Sequence, residues 1–229
     1  MRIHPSIKLL LCTVAIGSAL AVGSAARAAL VTWDLNPSNL NQSLGASSHT
    51  FTSNTFSITA SGFDNVSGPD TPHTLFFKND LVDHGLGVDG TPHNELQVGP
   101  NGPVQYIQFD LSSILSMGAS GGQLKVSSVN SGEAFDIFGS NTSGTLGSKI
   151  SLGGGPYGDA NNDIFVNIPS FGSFKFISVV AAIGDVLPFA LRANIPAVPE
   201  IGGATAAFVL LAFFGVVMAS RAIRTRYNG

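Results

Sequence analysis

Between residues 29 and 195 the apolar side chains recur at every second position in short runs, each cut off by Gly, Ser, Asn or Pro before a helical period can develop. A pleated strand points successive side chains to opposite faces, so this pattern half-buries a strand and denies a helix a continuous apolar stripe. VTWDL at 31–35, TFSITASGF at 55–63, QLKVSSV at 123–129 and AFDIFG at 134–139 read this way, as do IFVNI at 164–168, FKFISVV at 174–180 and VLPFALRA at 186–193. In VQYIQFDL at 104–111, Val104, Tyr106, Phe109 and Leu111 nearly alternate, and a one-residue slip at Ile107 reads as a bulge. The helical stretch LSSILSMG, 111–118, has the length of a single turn. A content of 27 Gly and 12 Pro excludes a helical bundle, whose interior tolerates neither. The expected fold class is therefore all-β, an antiparallel β-sandwich or jelly roll over 29–195.

The two ends are built differently. Arg2 and Lys8 precede an uncharged run from Leu9 to Ala26 that closes on Ala26-Arg27-Ala28. This basic, apolar and small-residue order predicts a signal peptide over 1–28, cut by signal peptidase after Ala28. At the other end, Glu200 and Arg221 bracket 20 uncharged residues. As a helix these would rise about 30 Å, the thickness of the hydrocarbon layer. The sequence thus predicts a transmembrane helix over 201–220, and Arg221, Arg224 and Arg226 place the tail 221–229 on the cytoplasmic side. The segment between the two addresses becomes an ectodomain.

The tail AVPEIGGATAAFVLLAFFGVVMASRAIRTR resembles a PEP-CTERM sorting signal, in which a Val-Pro-Glu-Pro type motif, a hydrophobic helix and an Arg-rich end follow one another. Val198, Pro199 and Glu200 match the motif at 198–201, and Ile201 stands where the second proline is usual. The resemblance implies a sorting signal over 196–229 and a Gram-negative source that makes exopolysaccharide. It also implies recognition by exosortase, a membrane-embedded protease or transpeptidase, so that the chain is held in the inner membrane and then released to the cell surface or the extracellular matrix. Pro196 and Pro199 fit such processing, because they keep the chain extended and deny it helical hydrogen bonds.

Charge narrows the partners further. Lys78, Lys125, Lys149, Lys175 and Arg192 face 13 of the 14 acidic residues between 29 and 195, so that segment stands near -8 although the whole chain stands at -3. Nucleic acid is excluded as a partner, since no basic surface is present to meet phosphate. The one cysteine, Cys12, lies in the signal segment, which leaves the ectodomain no disulfide and no cysteine-built metal site.

Several local patterns invite chemistry. Gly85-Leu86-Gly87-Val88-Asp89-Gly90 fits G-x-G-x-x-G, but Thr91-Pro92 follows where a dinucleotide fold needs a helix, and a chance match is expected. Gly118-Ala119-Ser120-Gly121-Gly122 fits the nucleophile-elbow pattern, again without the helix that a serine nucleophile needs. NDLVDHGLGVDGTPHNELQVG is the densest polar stretch. Its Asp80, Asp83, Asp89 and Glu95 are the candidates for calcium, which takes six to eight oxygens, and His84 and His93 would suit zinc. The plainer alternative is a solvated acidic loop, and no cofactor is assigned. The GLGV…NE element within this stretch also resembles one seen in exported PEP-CTERM proteins, which implies a structural role. Asp159-Ala160-Asn161-Asn162-Asp163 opens like an EF-hand loop but carries Ile164 where Gly is required. Thr71-Pro72-His73 and Thr91-Pro92-His93 are read as turn chemistry, not as a duplication.

No residue pair identifies a general acid and base, and no enzyme activity is expected. Sugar platforms use Trp and Tyr, yet this segment holds only Trp33, Tyr106 and Tyr157 beside many Phe. Tyr106 alternates into a strand and Trp33 packs near the mature N-terminus, which leaves Tyr157 as the candidate ligand contact. The sequence thus leads to a non-enzymatic exported matrix protein, with a carbohydrate-binding module as the second reading and a secreted polysaccharide hydrolase as the third.

Overall fold

The period-two runs fold as strands, and the computed structural model describes them over residues 28–65, 70–80, 83–99, 102–129, 132–153 and 165–196. Strands β1 (Ala29–Asp34), β2 (Gln42–Ser43), β3 (Ser48–Ser53) and β4 (Phe56–Asp64) come first. They are followed by β5 (Thr71–His73), β6 (Leu75–Asn79), β7 (His84–Val88), β8 (Leu96–Gly99), β9 (Gly102–Pro103) and β10 (Gln105–Asp110). After the one-turn helix α1 (Ser112–Ser116) come β11 (Ser120–Ser127), β12 (Ala134–Ser140), β13 (Ser148–Gly153), β14 (Phe165–Asn167), β15 (Phe176–Ile183) and β16 (Asp185–Ile195). The signal peptide, the sorting motif with its helix and Arg tail, Tyr157 and the EF-hand-like stretch lie outside the described residues. Among the described residues no helix is long and apolar enough to cross a membrane.

The strands pair antiparallel in three sheets. One runs β14-β11-β16-β8-β9, with β1 also along β16; the second runs β13-β12-β15-β10-β4-β3, with β5 beside β4; the third is β2-β6-β7. Inward side chains of all three meet in one core, where Val31, Trp33, Leu124 and Leu191 of the first sheet join Ile58, Phe109, Ile137 and Val179 of the second and Leu75 and Leu86 of the third. The described residues thus form an all-β, antiparallel arrangement consistent with a sandwich. Trp33 is buried and its indole N–H donates to the Phe56 carbonyl at 3.0 Å, so the ring reaches a partner from within the core.

Not every strand keeps simple alternation, and β7, β10 and β15 are buried in unbroken runs. Strand β10 is buried along Gln105–Phe109 and pairs continuously with β4 and β15, so no bulge occurs at Ile107. Ile107 and Phe109 face the main core, while Tyr106 packs with Phe63 and Val180 on the other side of the sheet. The apparent slip arises because both faces of this central strand are covered. Register shifts fall elsewhere: at Ala182 of β15, at Ile150 of β13, between Ser120 and Gln123 of β11, and in β16, where Lys125 pairs with Ala190 and Val126 with Pro188, leaving Phe189 as the extra residue. A proline that cannot donate to the ladder is accommodated there.

On the outward side of the first sheet Gln123 links Asn167 and Arg192 at 2.6 Å each, and the Arg192 guanidinium stacks 3.8 Å over Phe165.

Candidate functional site

The polar stretch at 79–99 is not a solvated loop. It forms β7 and β8 joined by a 3₁₀ turn at Pro92–Asn94, and Leu86, Val88 and Leu96 are fully buried. Leu75 and Phe77 of β6 and Leu86 and Val88 of β7 point to the core. Alternation puts Phe76, Lys78, Gly85 and Gly87 on the opposite face. A second layer of backbone lies directly on that face. A Cβ at Gly87 would stand 1.9 Å from the Asn94 carbonyl, and one at Gly85 would stand 2.5 Å from that of Pro188. The first two glycines of the G-x-G-x-x-G pattern therefore admit close backbone packing. The stretch is a hairpin partner, with no βαβ unit and no phosphate cradle.

This cover buries Lys78, whose side chain is 8% exposed. Its ammonium contacts Glu95 Oε1, and it reaches Asp83 Oδ2 at 3.3 Å and Asp80 Oδ2 at 3.4 Å. Glu95, 3% exposed, accepts a hydrogen bond on Oε2 from the Ser128 hydroxyl at 2.9 Å. Asp80 and Asp83 bond each other between β6 and β7: the Asp80 carboxylate accepts the Asp83 N–H at 3.0 Å, and the Asp80 N–H donates to the Asp83 carbonyl at 3.0 Å.

Burial pushes the Glu95 carboxyl up against the opposing hydrogen bond and charge of Lys78. For Lys78, burial favours the neutral amine, but the hydrogen bond and charge of Glu95, with the charges of Asp83 and Asp80, raise it overall. The two directions have different leading causes: burial raises Glu95, with a small addition from the charge of Asp83, whereas the surrounding carboxylates raise Lys78 against its burial.

Three of the four calcium candidates are therefore gathered, but around an internal cation. Asp89 stands apart beyond the far end of β7, where its carbonyl lies 2.6 Å from His73 Nε2. His93 is exposed and faces Asp185 at 3.3 Å, while His84 Nδ1 is buried. Among the described residues no three His, Cys, Asp or Glu side chains are arranged to hold a metal. The Thr-Pro-His echo divides as well: the first copy is strand β5, and the second forms the turn in which His93 takes φ +65°.

Other polar groups hold layers together. His73 Nδ1 meets Asp64 Oδ1 at 2.8 Å, tying β5 to β4. The Tyr106 hydroxyl donates to Asp70 at 2.7 Å. Ser120 is exposed as the first residue of β11 and runs directly into strand, so the elbow pattern is not realised. Sequence reasoning missed Lys78 and Ser128. The available signal was a lysine directly after Leu75-Phe76-Phe77 in a segment poor in basic residues, a place where an unpaired charge is costly.

Comparison with protein-family models, curated proteins and solved structures finds no match to this chain.

Proposed function

We propose that this chain is a non-enzymatic surface or extracellular-matrix protein, exported by the signal peptide at 1–28 and sorted by exosortase through 196–229. The ectodomain is a jelly-roll-like sandwich that joins an exopolysaccharide matrix after release. The observation that carries this reading is the order of the tail: Val198-Pro199-Glu200, then 20 uncharged residues, then Arg221, Arg224 and Arg226. In the membrane, Glu200 is the charge at the interface that a protease can read, and the prolines before it keep the strand open for binding.

The fold supports the reading without carrying it. The ionisable side chains of the buried cluster are engaged with one another, as expected of a scaffold, and the acidic segment suits a soluble exported surface.

The test follows the chain's termini in a Gram-negative host that encodes exosortase. Mass spectrometry of the mature protein should find cleavage after Ala28 and near Glu200, and Glu200→Ala should leave full-length protein in the inner membrane. Unchanged release of the Ala variant excludes exosortase recognition.

A further inference from the structure

Around the Lys78 amine the fold assembles the groups of a condensation reaction. Nζ lies against Oε1 of Glu95, and both side chains are more than nine-tenths buried. The other carboxylate oxygen, Oε2, already receives the Ser128 O–H at 2.9 Å. Asp83 Oδ2 stands 3.3 Å from Nζ, and Asp83 Oδ1 is buried with no hydrogen-bond partner among the described residues. An amine, a carboxyl carbon, a donor on the oxygen that would carry developing charge and a second carboxylate to move the proton are thus held in one enclosed site.

We propose that Lys78 and Glu95 join spontaneously in the folded protein as an isopeptide bond between Nζ and Cδ. Asp83 takes a proton from the ammonium, and the freed lone pair forms the N–C bond. Negative charge passes to Oε2, where the Ser128 hydroxyl stabilises it as an oxyanion hole does. The C–Oε1 bond then breaks, and Oε1 leaves as water with two of the three ammonium protons, one of them returned by Asp83. An ammonium and a carboxylate become an amide and one water; nothing is oxidised, and no further reactant is needed.

Two physical terms favour it. The fold holds nucleophile and electrophile in contact, which replaces a bimolecular encounter by an internal one. Condensation also removes one ammonium and one carboxylate whose side chains are 8% and 3% exposed, a place where water solvates them poorly. The product ties β6 to the start of β8 across the 79–94 segment. It would supply a covalent staple to a region, 29–195, that contains no cysteine. The inference does not depend on where the chain is sorted.

The test uses the full chain, purified, denatured and digested with chymotrypsin, which cuts after Phe77, Leu81, Leu86 and Leu96. The expected result is peptide 78–81 joined to peptide 87–96, lighter by one water than their sum, with fragmentation placing the link at Lys78 and Glu95. Recovery of both peptides free, from protein with native strand circular dichroism, overturns the proposal and leaves a plain ion pair. Because the unmutated chain gives this answer, misfolding of a variant cannot obscure it. Asp83→Asn keeps the shape and removes the proton acceptor, so linkage should slow at least tenfold; an unchanged rate overturns the role given to Asp83.

Discussion

Tyr106 carries a phenol in the interior of the second sheet, stacked on Phe63 with ring centroids 5.1 Å apart. Burial pushes this hydroxyl up from its ordinary value of 10.0, and the hydrogen bond and charge of Asp70 push it further in the same direction. A pKa raised on folding adds stability that is fully present below pH 10.0 and is lost as pH climbs through the higher folded value. Tyr106 should therefore contribute no phenolate absorbance in the ordinary range while the domain is folded. The check is a spectrophotometric titration of the wild type beside Tyr106→Phe. The two curves should coincide until alkaline unfolding begins, and loss of about one tyrosine's signal in the ordinary range from the variant contradicts the assignment. The alternation of β10 already placed Tyr106 in a strand. Its partner was hidden, because Asp70 lies 36 positions away and is brought close only by the path of the chain into β5.

At the scale of elements, Gln108 shows how one side chain secures a connection. It sits on β10, 2% exposed, donates to the Thr145 carbonyl at 3.0 Å and accepts the Gly144 N–H at 2.9 Å. These bonds hold the 141–147 segment over Phe63, Tyr106 and Val180, where Leu146 packs against them. Replacing Gln108 by Leu would strand both backbone groups and should cost about 2–3 kcal/mol. The measurement is native-state hydrogen exchange: the Gly144 amide should exchange much faster in the variant while amides of the β10–β15 ladder keep their protection. Equal protection of Gly144 in both proteins contradicts this account. Periodicity made β1, β4, β11 and β12 legible through alternation, and β15 and β16 through apolar runs buried on both faces. It failed for β6, β7 and β8, where glycines and charged residues break the alternation. The reason is physical at β7, where the face of Gly85 and Gly87 is covered by backbone at Pro188 and Asn94, which needs glycine instead of a side chain.

For the whole molecule, the core shared by the three sheets makes their folding interdependent. Trp33 belongs to that core and is the only tryptophan in the chain, so its fluorescence reports core integrity while far-ultraviolet circular dichroism reports strands throughout. The two probes should give coincident denaturant transitions with one midpoint. Separate midpoints would show that one sheet survives without the others.

The sequence by itself determined the all-β class, most of the long strands, the acidity of the 29–195 segment and its lack of cysteine. These follow from local alternation and from composition, which need no knowledge of what lies opposite. Only the tertiary structure decided that Asp80, Asp83 and Glu95 converge on Lys78, that the glycine pattern admits backbone and that Ser128 meets Glu95. Those outcomes depend on strand order and register, which bring Lys78 of β6, Glu95 just before β8 and Ser128 just after β11 to one buried point across separations that no local pattern encodes.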